Sequence, residues 1–320
     1  MDIKSYYTEK RRRRVKLIFN PASGVANGSP VQLTDVVKEL QAWKFVPEVC
    51  VLDLDCDLSK IVSETLTKGI HLFVACGGDG TINAVAKVLA GRSATLGIIP
   101  AGTQNDIALS LGIPKDIPAA VAILRTGRRI KADTGKVICG DIETPFLELC
   151  SVGLMSSLFP SGDDIQHGHL ERIGDFLATL ATSAPSKIKL LLDNRQEIIA
   201  TGHVVLITNM PYIGRHYQVG EATAFHDGLL DILLFASLSK LDLLGCAFKE
   251  GTNVCELEDP RIQRFRARRA DIDTNPEMPI MADGIALGEG AVHVEVHHHS
   301  LAVMTGVPTK KMPIEPQTGI

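Results

Sequence analysis

The sequence predicts an α/β protein with two domains: an N-terminal three-layer domain around a parallel sheet, then a mostly antiparallel β domain. In the first part, short apolar runs rich in strand formers alternate with segments whose apolar residues recur at helical spacing. This alternation is typical of parallel sheets covered by helices on both faces. In the second part, strand-like runs follow one another across turns. The chain has 320 residues, 45% of them hydrophobic, so it can bury two cores.

The first domain opens with a strand over 15–20, which stops at the turn residues Asn-Pro-Ala-Ser-Gly. Val36, Leu40 and Trp43 recur at helical spacing and predict a helix over 31–43. The elements that follow are a strand over 46–52, a helix around 61–66, a strand over 71–76, a helix over 82–89 and a strand over 94–100. We therefore expect a nucleotide-binding α/β domain over residues 15–136.

The second domain is expected over 137–305, where it would form the acceptor side of a cleft. Its predicted strands cover 146–154, 187–193, 197–210, 229–236 and 292–306, with helical stretches near 170–181 and 238–248. Residues 1–14 are expected to form a flexible basic head. Residues 306–320, rich in proline, are expected to form a tail that can pack back on the first domain.

Composition excludes several functions. A net charge of -4, with one Trp and four Tyr, does not suit a nucleic-acid partner. The seven cysteines are scattered without C-x-x-C spacing, which argues against a disulfide framework or a zinc site and favours the reducing cytoplasm. No segment approaches the roughly 18 apolar residues of a membrane span, so we expect a cytoplasmic protein, at most peripheral at the membrane.

Two charged segments have a plain and a functional interpretation. His297, His298 and His299 are consecutive, so a strand would point them to alternating faces, which favours a polar strand end over a metal site. The basic run from Lys10 to Arg14 is commonly a solvated head. Near an anionic bilayer, however, each basic residue contributes about 1 kcal/mol, so this run could support transient contact with the membrane surface.

The segment "ACGGDGTINAV", over 75–85, joins a predicted strand to a predicted helix. Backbone N–H groups and the helix dipole at such a turn can hold an anion, and glycines let a phosphate approach closely. Asp79 would then lie beside a metal-bearing phosphate. The spacing matches neither G-x-G-x-x-G nor the P-loop. The other interpretation is a tight turn in which Asp79 and Thr81 cap the helix.

Six segments in order resemble the catalytic domain of diacylglycerol kinases and of the bacterial soluble lipid kinases, a group that includes sphingosine and ceramide kinases. They are Asn20-Pro21-Ala22-Ser23-Gly24, Gly77-Gly78-Asp79-Gly80-Thr81, the run from Pro100 to Asp106, Asp133-Thr134-Gly135-Lys136, the run from Asp227 to Asp231, and Asp283-Gly284. NAD kinases and phosphofructokinases share Gly-Gly-Asp-Gly, but the six segments together are specific. The resemblance implies ATP and Mg²⁺ as cofactors and a lipid alcohol as phosphoryl acceptor.

The resemblance also implies roles for individual residues. The ATP site would comprise Asn20, Pro21, Ser23, Gly24, Gly77, Gly78, Asp79, Gly80, Thr81, Thr103, Asn105 and Asp106. The catalytic acids would be Asp79, Asp133 and Asp283, of which Asp79 and Asp133 organise magnesium near the transferred phosphate. A second, structural magnesium would be held by Asp227 and the backbone carbonyls of Ala224 and Leu229. Without the resemblance, the Asp227 segment is nearly as well interpreted as a plain Asp-Gly turn.

One position departs from the family. The usual Asp-Gly-Glu, whose Glu accepts the proton of the alcohol, is Asp283-Gly284-Ile285 here. Asp283 could accept the proton instead, or Glu289 could reach in from the next turn. Three functions follow: a lipid kinase acting on diacylglycerol or a related lipid, a catalytically weak nucleotide- or lipid-binding protein, or a kinase of a water-soluble alcohol such as NAD. The motifs identify neither the lipid nor the oligomeric state.

Overall fold

The structure is a computed structural model that describes residues 12–24, 31–53, 55–154, 184–213, 217–221, 224–236 and 261–306. It divides into two compact units. Of the described residues, unit 1 contains 12–133, Tyr217 and 299–306, and unit 2 contains 134–213 and 218–298. Most of the predicted head and tail, and the helical stretches predicted near 170–181 and 238–248, lie outside the described residues.

The elements up to Cys139 alternate between strand and helix, as predicted. In order they are β1 (Arg13–Phe19), α1 (Leu33–Ala42), β2 (Phe45–Val51), α2 (Leu58–Thr67), β3 (Leu72–Gly77), α3 (Asp79–Leu89), β4 (Thr95–Pro100), α4 (Asp106–Ser110), α5 (Ile117–Thr126) and β5 (Arg128–Cys139). Helices α4 and α5 were not predicted from the sequence. Strand β1 begins two residues before its predicted start, because Arg13 and Arg14 belong to the strand.

The elements after Cys139 are nearly all strands. In order they are β6 (Ile142–Phe146), β7 (Leu149–Gly153), β8 (Ser186–Leu192), β9 (Gln196–Thr208), β10 (Tyr212–Ile213), β11 (Tyr217–Gln218), a 3-10 helix (Ala224–His226), β12 (Leu230–Ala236), β13 (Ile262–Ala267), β14 (Arg269–Asn275), β15 (Pro279–Ala282), β16 (Ile285–Glu289) and β17 (Val292–Thr305).

Five neighbouring strands of unit 1 are parallel, in the order β2-β1-β3-β4-β17, where β17 contributes its last residues. Strand β5 also pairs with β17. Every residue of β3 and β4 is buried, which explains their continuous apolar runs. In the described chain β2 pairs only with β1, and this edge position tolerates Pro47.

Helices cover the sheet of unit 1 because each has an apolar face. Val36 and Leu40 of α1 and Val121 and Leu124 of α5 share one apolar core with β1 and β3. Helices α2 and α3 contact each other, and α3 packs on β3 and β4. Asp57 begins α2 by accepting a hydrogen bond from the Lys60 N–H at 3.0 Å. The predicted α/β layering is confirmed.

Unit 2 consists of antiparallel strands around a second core. Strand β9 is central: its first half pairs with β8, and its second half pairs with β7 and β12. Strand β14 joins β8 to the first half of β17, and β15 and β16 form a hairpin beside β7. The predicted antiparallel β character is confirmed. Among the described residues, no helix has the length and apolar composition to cross a membrane.

Candidate nucleotide and phosphoryl-transfer site

The glycine-rich turn lies between β3 and α3, as predicted. Gly78 is the N-terminal cap residue of α3 and has extended backbone angles, so the helix points its first N–H groups toward this turn. A Cβ on Gly77 would lie 2.5 Å from the Thr81 side chain, so only glycine fits there. A Cβ on Gly80 would meet nothing within 4 Å. The turn is therefore tight on one side and open at the second residue of the helix.

The loop after β1 contacts this turn directly. The Asn20 side chain donates a hydrogen bond to the Thr81 hydroxyl at 2.8 Å, and its oxygen accepts the Ala22 N–H at 3.0 Å. The Ser23 hydroxyl accepts the Gly78 N–H at 3.3 Å. The structure thus brings the Asn20 loop and the glycine turn together, because β1 and β3 are neighbours and end at the same edge.

The loop after β4 also packs against the glycine turn. A Cβ on Gly102 would lie 2.5 Å from the Cα of Gly78, so the two backbones touch. Asn105 has a left-handed backbone, with φ 60, and its side chain both accepts from the Gly102 N–H at 2.9 Å and donates to the Gly102 carbonyl at 2.7 Å. These bonds hold the loop in a fixed shape. Thr103 is half-buried in the same loop, while Pro21 is exposed in the loop after β1.

Asp79 does not lie in a free loop and does not cap its own helix. It is the first residue of α3, and its carboxylate accepts the N–H groups of Asp106 at 3.2 Å and Ile107 at 3.1 Å. It therefore caps α4, a helix that the sequence did not predict. Burial raises the pKa of Asp79. The hydrogen bond from the Ile107 N–H lowers this pKa, and the nearby Asp106 carboxylate raises it.

Asp133 lies on β5 and is fully buried. Its carboxylate accepts the backbone N–H of His299 at 2.6 Å, which joins β5 to the last residues of β17 within unit 1. Ionised carboxylates are acceptors only, so this bond is favourable for a charged Asp133. His299 has φ 56, a left-handed backbone that directs its N–H toward Asp133.

The Asp283 turn belongs to unit 2 and joins β15 to β16. One Asp283 oxygen accepts the Leu147 N–H at 2.8 Å, and the other accepts the N–H groups of Glu148 and Leu149 at 3.0 Å each. The Asp283 N–H donates in turn to the Leu149 carbonyl at 2.8 Å. This carboxylate therefore anchors the hairpin to the chain before β7, and both its oxygens are already engaged.

Ile285, where the family has its proton acceptor, is 54% exposed at the start of β16. Glu289 is at the opposite end of that strand, paired with Pro279, whereas Ile285 pairs with Ala282 next to the turn. Four residues of strand span about 13 Å. The role of Glu289 as proton acceptor stays a prediction, and the hairpin argues against it because it carries Glu289 away from the Asp283 turn.

The Asp227 segment differs from the metal site that the resemblance implies. Arg266 forms an ion pair with one Asp227 oxygen, and the other oxygen accepts the Leu229 N–H at 3.0 Å. The Arg266 Nε also lies 3.2 Å from Asp231, its direct partner across strands β12 and β13. A guanidinium already neutralises the Asp227 carboxylate, so this turn as it stands does not fit a magnesium ion.

Sequence motifs could not identify Arg266, because it lies outside all six segments and meets Asp227 only through strand pairing. Arg266 is important because it lies among several carboxylates. Burial raises the pKa of Asp231 to about 6, with Asp227 and Glu221 adding to the rise and Arg266 opposing it. Arg266 thus counters an excess of negative charge at this turn.

Replacing Arg266 with glutamine should lower the free energy of unfolding by about 1 kcal/mol, because the pair is partly exposed. Magnesium should then raise the melting temperature of the variant, since the exposed carboxylates lose their cation, and should leave the wild type unchanged. Arg264→Gln is the control, because Arg264 donates to the Val219 carbonyl at 3.4 Å. A wild-type melting temperature that rises with magnesium, and no longer does so in Asp227→Asn, would instead establish the magnesium site.

Comparison with known proteins identifies both parts of the chain. Residues 14–137 match the diacylglycerol kinase catalytic domain, and residues 164–305 match the YegS C-terminal NAD kinase beta sandwich-like domain. A diacylglycerol kinase of Mycobacterium tuberculosis is 29% identical over 85% of this chain and 88% of its own length. A diacylglycerol kinase of Bacillus subtilis is 25% identical over 85% of this chain and 89% of its own length.

A crystal structure of a diacylglycerol kinase from Bacillus anthracis shares the fold. It superposes with a TM-score of 0.69 over 92% of this chain and 98% of its own, at 22% identity. The predictions of family and of an ATP-dependent phosphotransferase acting on an alcohol are confirmed. The chain belongs to the diacylglycerol kinase catalytic-domain family.

Proposed function

We propose that this protein transfers the γ-phosphoryl group of ATP to the hydroxyl of diacylglycerol or a related lipid alcohol. The observation that carries the proposal is the glycine turn at the start of α3, which is open at Gly80 and braced by the loops after β1 and β4. Family membership supports the kinase reaction, and the similarity to bacterial diacylglycerol kinases supports diacylglycerol as the acceptor class.

The chain's own groups suit phosphate binding. The free N–H groups of the first turn of α3 and its dipole favour an anion. Asn20 and Ser23 hold the turn in place through Thr81 and Gly78, so the donors are oriented before ATP arrives. Phosphoryl transfer needs mainly such alignment and charge neutralisation.

Magnesium would be held through Asp79 and Asp133. Among the described residues, no ion pair connects Asp79 to a cationic side chain, which distinguishes it from Asp227. Each Asp79 oxygen accepts one backbone N–H and would bind a metal through its remaining lone pair. Carboxylate oxygen is the ligand that magnesium prefers. When bound, the ion would neutralise charge on the ATP phosphates. Backbone N–H groups of the protein hold the two carboxylates in place: those of residues 106 and 107 bind Asp79, and that of His299 binds Asp133.

A second candidate is a binding protein with weak turnover, and the Asp283 turn favours it. Ile285 has no proton-accepting group, and both Asp283 oxygens already accept backbone N–H groups. A substrate hydroxyl must compete with those donors for the remaining lone pairs. ATP consumption with diacylglycerol, sphingosine, ceramide and NAD as acceptors separates the candidates. Turnover with a lipid supports the proposal, turnover with NAD alone contradicts it, and ATP binding without any turnover supports the binding protein.

Membrane contact remains part of this proposal, but fewer basic residues would support it than the sequence predicts. Arg13 and Arg14 are residues of β1, and Arg14 forms an ion pair with Glu48. These two arginines would therefore contribute less at an anionic bilayer than the about 1 kcal/mol expected for each basic residue of the run.

The Gly80→Ala variant tests the phosphate turn. Its methyl group would enter open space, and alanine favours helix by up to about 1 kcal/mol, so stability should hold or rise. If ATP phosphates occupy that space, turnover at limiting ATP should fall by about 10- to 100-fold. Gly102→Ala is the contrast, because its methyl group collides with Gly78 and should lower stability as well. Full activity of a stable Gly80→Ala protein would place ATP elsewhere.

A further inference from the structure

A pocket of about 640 Å³ is lined entirely by residues of unit 2. Its walls include the turn between β8 and β9, the turn between β13 and β14, the loop before β12, and β17. Three arginines and three acids carry the charge of this pocket: Arg195, Arg268, Arg269, Asp193, Asp227 and Glu295. Neither the family motifs nor the proposed reaction uses the arginines.

Backbone hydrogen bonds fix the two arginine-bearing turns to each other. The Asp193 carboxylate accepts the N–H groups of Arg268 at 2.9 Å and Arg269 at 3.0 Å. The Asp193 N–H donates to the Arg269 carbonyl at 3.0 Å, and the Val296 N–H donates to the Arg268 carbonyl at 2.9 Å. The arginines therefore stand on a frame formed by the β8–β9 turn, the β13–β14 turn and β17, which backbone hydrogen bonds hold together.

The acids of the pocket are engaged by groups other than its arginine side chains. Asp227 is paired with Arg266. Glu295 lies 3.3 Å from the His297 ring nitrogen and 3.8 Å from the Lys136 ammonium. Asp193 is occupied by the two backbone N–H groups described above. None of the three acids thus forms an ion pair with an arginine of the pocket.

The arginines remain without carboxylate partners. Within the described part of the chain, no ion pair involves the side chains of Arg195, Arg268 or Arg269. The two arginines earlier on β13 do have side-chain partners: Arg266 binds two carboxylates, and Arg264 binds a carbonyl. Arginine stays charged at any physiological pH, so the pocket holds three guanidinium charges that form no ion pair within the described residues.

A guanidinium presents parallel N–H donors that match the oxygens of a phosphate. We propose that this pocket binds a phosphate group, carried either by a free phosphate or by the headgroup of an anionic phospholipid. The site lies entirely in unit 2, and the proposal does not depend on the kinase assignment.

Inorganic phosphate is the first probe. Amide NMR shifts of residues 193–195 and 267–269 should change saturably when phosphate is added to the full chain. In Arg195→Gln/Arg268→Gln, the phosphate affinity at these amides should fall at least about tenfold, because charge-assisted bonds are lost. The control Arg264→Gln/Lys187→Gln removes the same charge outside the pocket and should bind like the wild type. Absence of saturable shifts in the wild type, or equal losses in both double variants, overturns the proposal.

Vesicles distinguish the two sources of phosphate. If sedimentation with phosphatidylglycerol vesicles falls in the pocket variant alone, and phosphatidylcholine vesicles bind neither protein, the ligand is a lipid headgroup. If vesicle binding is unchanged while phosphate affinity falls, the ligand is a free phosphate; both outcomes support the site. Melting temperatures check the fold, and Arg269→Gln repeats the test should the double variant not fold. Vesicle binding combined with no phosphate response in the pocket amides contradicts the proposal.

Discussion

Replacing Asp79 with alanine is expected to reduce ATP-dependent phosphoryl transfer by about 100-fold or more and to destabilise the protein at the same time. The carboxylate supplies a charge beside the glycine turn, and it also holds the N–H groups of Asp106 and Ile107. Removing it leaves those N–H groups without their partner, at a cost of about 1–3 kcal/mol. Initial rates with ATP and diacylglycerol, together with urea unfolding, measure the two effects.

The Asp79→Asn variant separates the two roles. Asparagine keeps one acceptor oxygen and loses the charge, so its stability should lie between those of the wild type and Asp79→Ala, while its turnover should stay as low as that of the alanine variant. Asp116→Ala is a matched control, because Asp116 caps α5 by accepting the Ala119 N–H at 3.0 Å. It should lose about 1 kcal/mol of stability and no activity. Near-wild-type turnover of Asp79→Asn would mean that its charge takes no part in the reaction.

The parallel domain could be predicted well because its strands are almost fully apolar. Every residue of β3 and β4 is buried, so their sequences stand out from the amphipathic helices around them. Strands β13 and β14 could not be predicted in this way. Their sequence over 262–275 is rich in charge, and the residues that reach the core, such as Ala267, Ala270 and Ile272, lie between charged ones. Pairing with distant strands, β12 for β13 and β8 and β17 for β14, rather than local propensity makes this segment two strands.

The candidate site could be predicted as a set of segments, but its internal contacts could not. Three predicted loops meet because β1, β3 and β4 are neighbours that end at one edge. The bond from Asn20 to Thr81 spans 61 positions and depends on side-chain direction, which no motif encodes. The same applies to Arg266, which reaches Asp227 only because β12 and β13 pair in one register. The roles assigned to individual residues stay predictions.

Asp283 shows why a motif can suggest the wrong experiment. Replacing this residue would silence the protein if Asp283 were the base, but the same variant also removes an anchor for three backbone N–H groups. Loss of activity in Asp283→Asn therefore has two explanations. Its melting temperature must be measured alongside its rate, and only a stable, inactive variant supports proton acceptance by Asp283.

Ile285→Glu is the sharper test, because this side chain is 54% exposed and replacing it opens no cavity. If the missing carboxylate limits turnover, the variant should be faster than the wild type by about 10²- to 10⁴-fold, the usual contribution of a positioned general base. Ile285→Gln has nearly the same size and polarity without a base. Ile199→Glu adds the same charge to unit 2 at a residue that is 55% exposed on β9.

A gain confined to Ile285→Glu would show that position 285 faces the reacting hydroxyl and that the native protein works without its family's base. Equal gains in Ile285→Glu and Ile285→Gln would indicate that isoleucine merely obstructs a polar acceptor. A gain in Ile199→Glu as well would point to a general effect of charge on substrate or membrane binding. Measurable native turnover with no gain in any variant would contradict the assignment of the Asp283 turn to proton transfer. In that case the proton must pass to a phosphate oxygen of the substrate or to a group elsewhere in the protein.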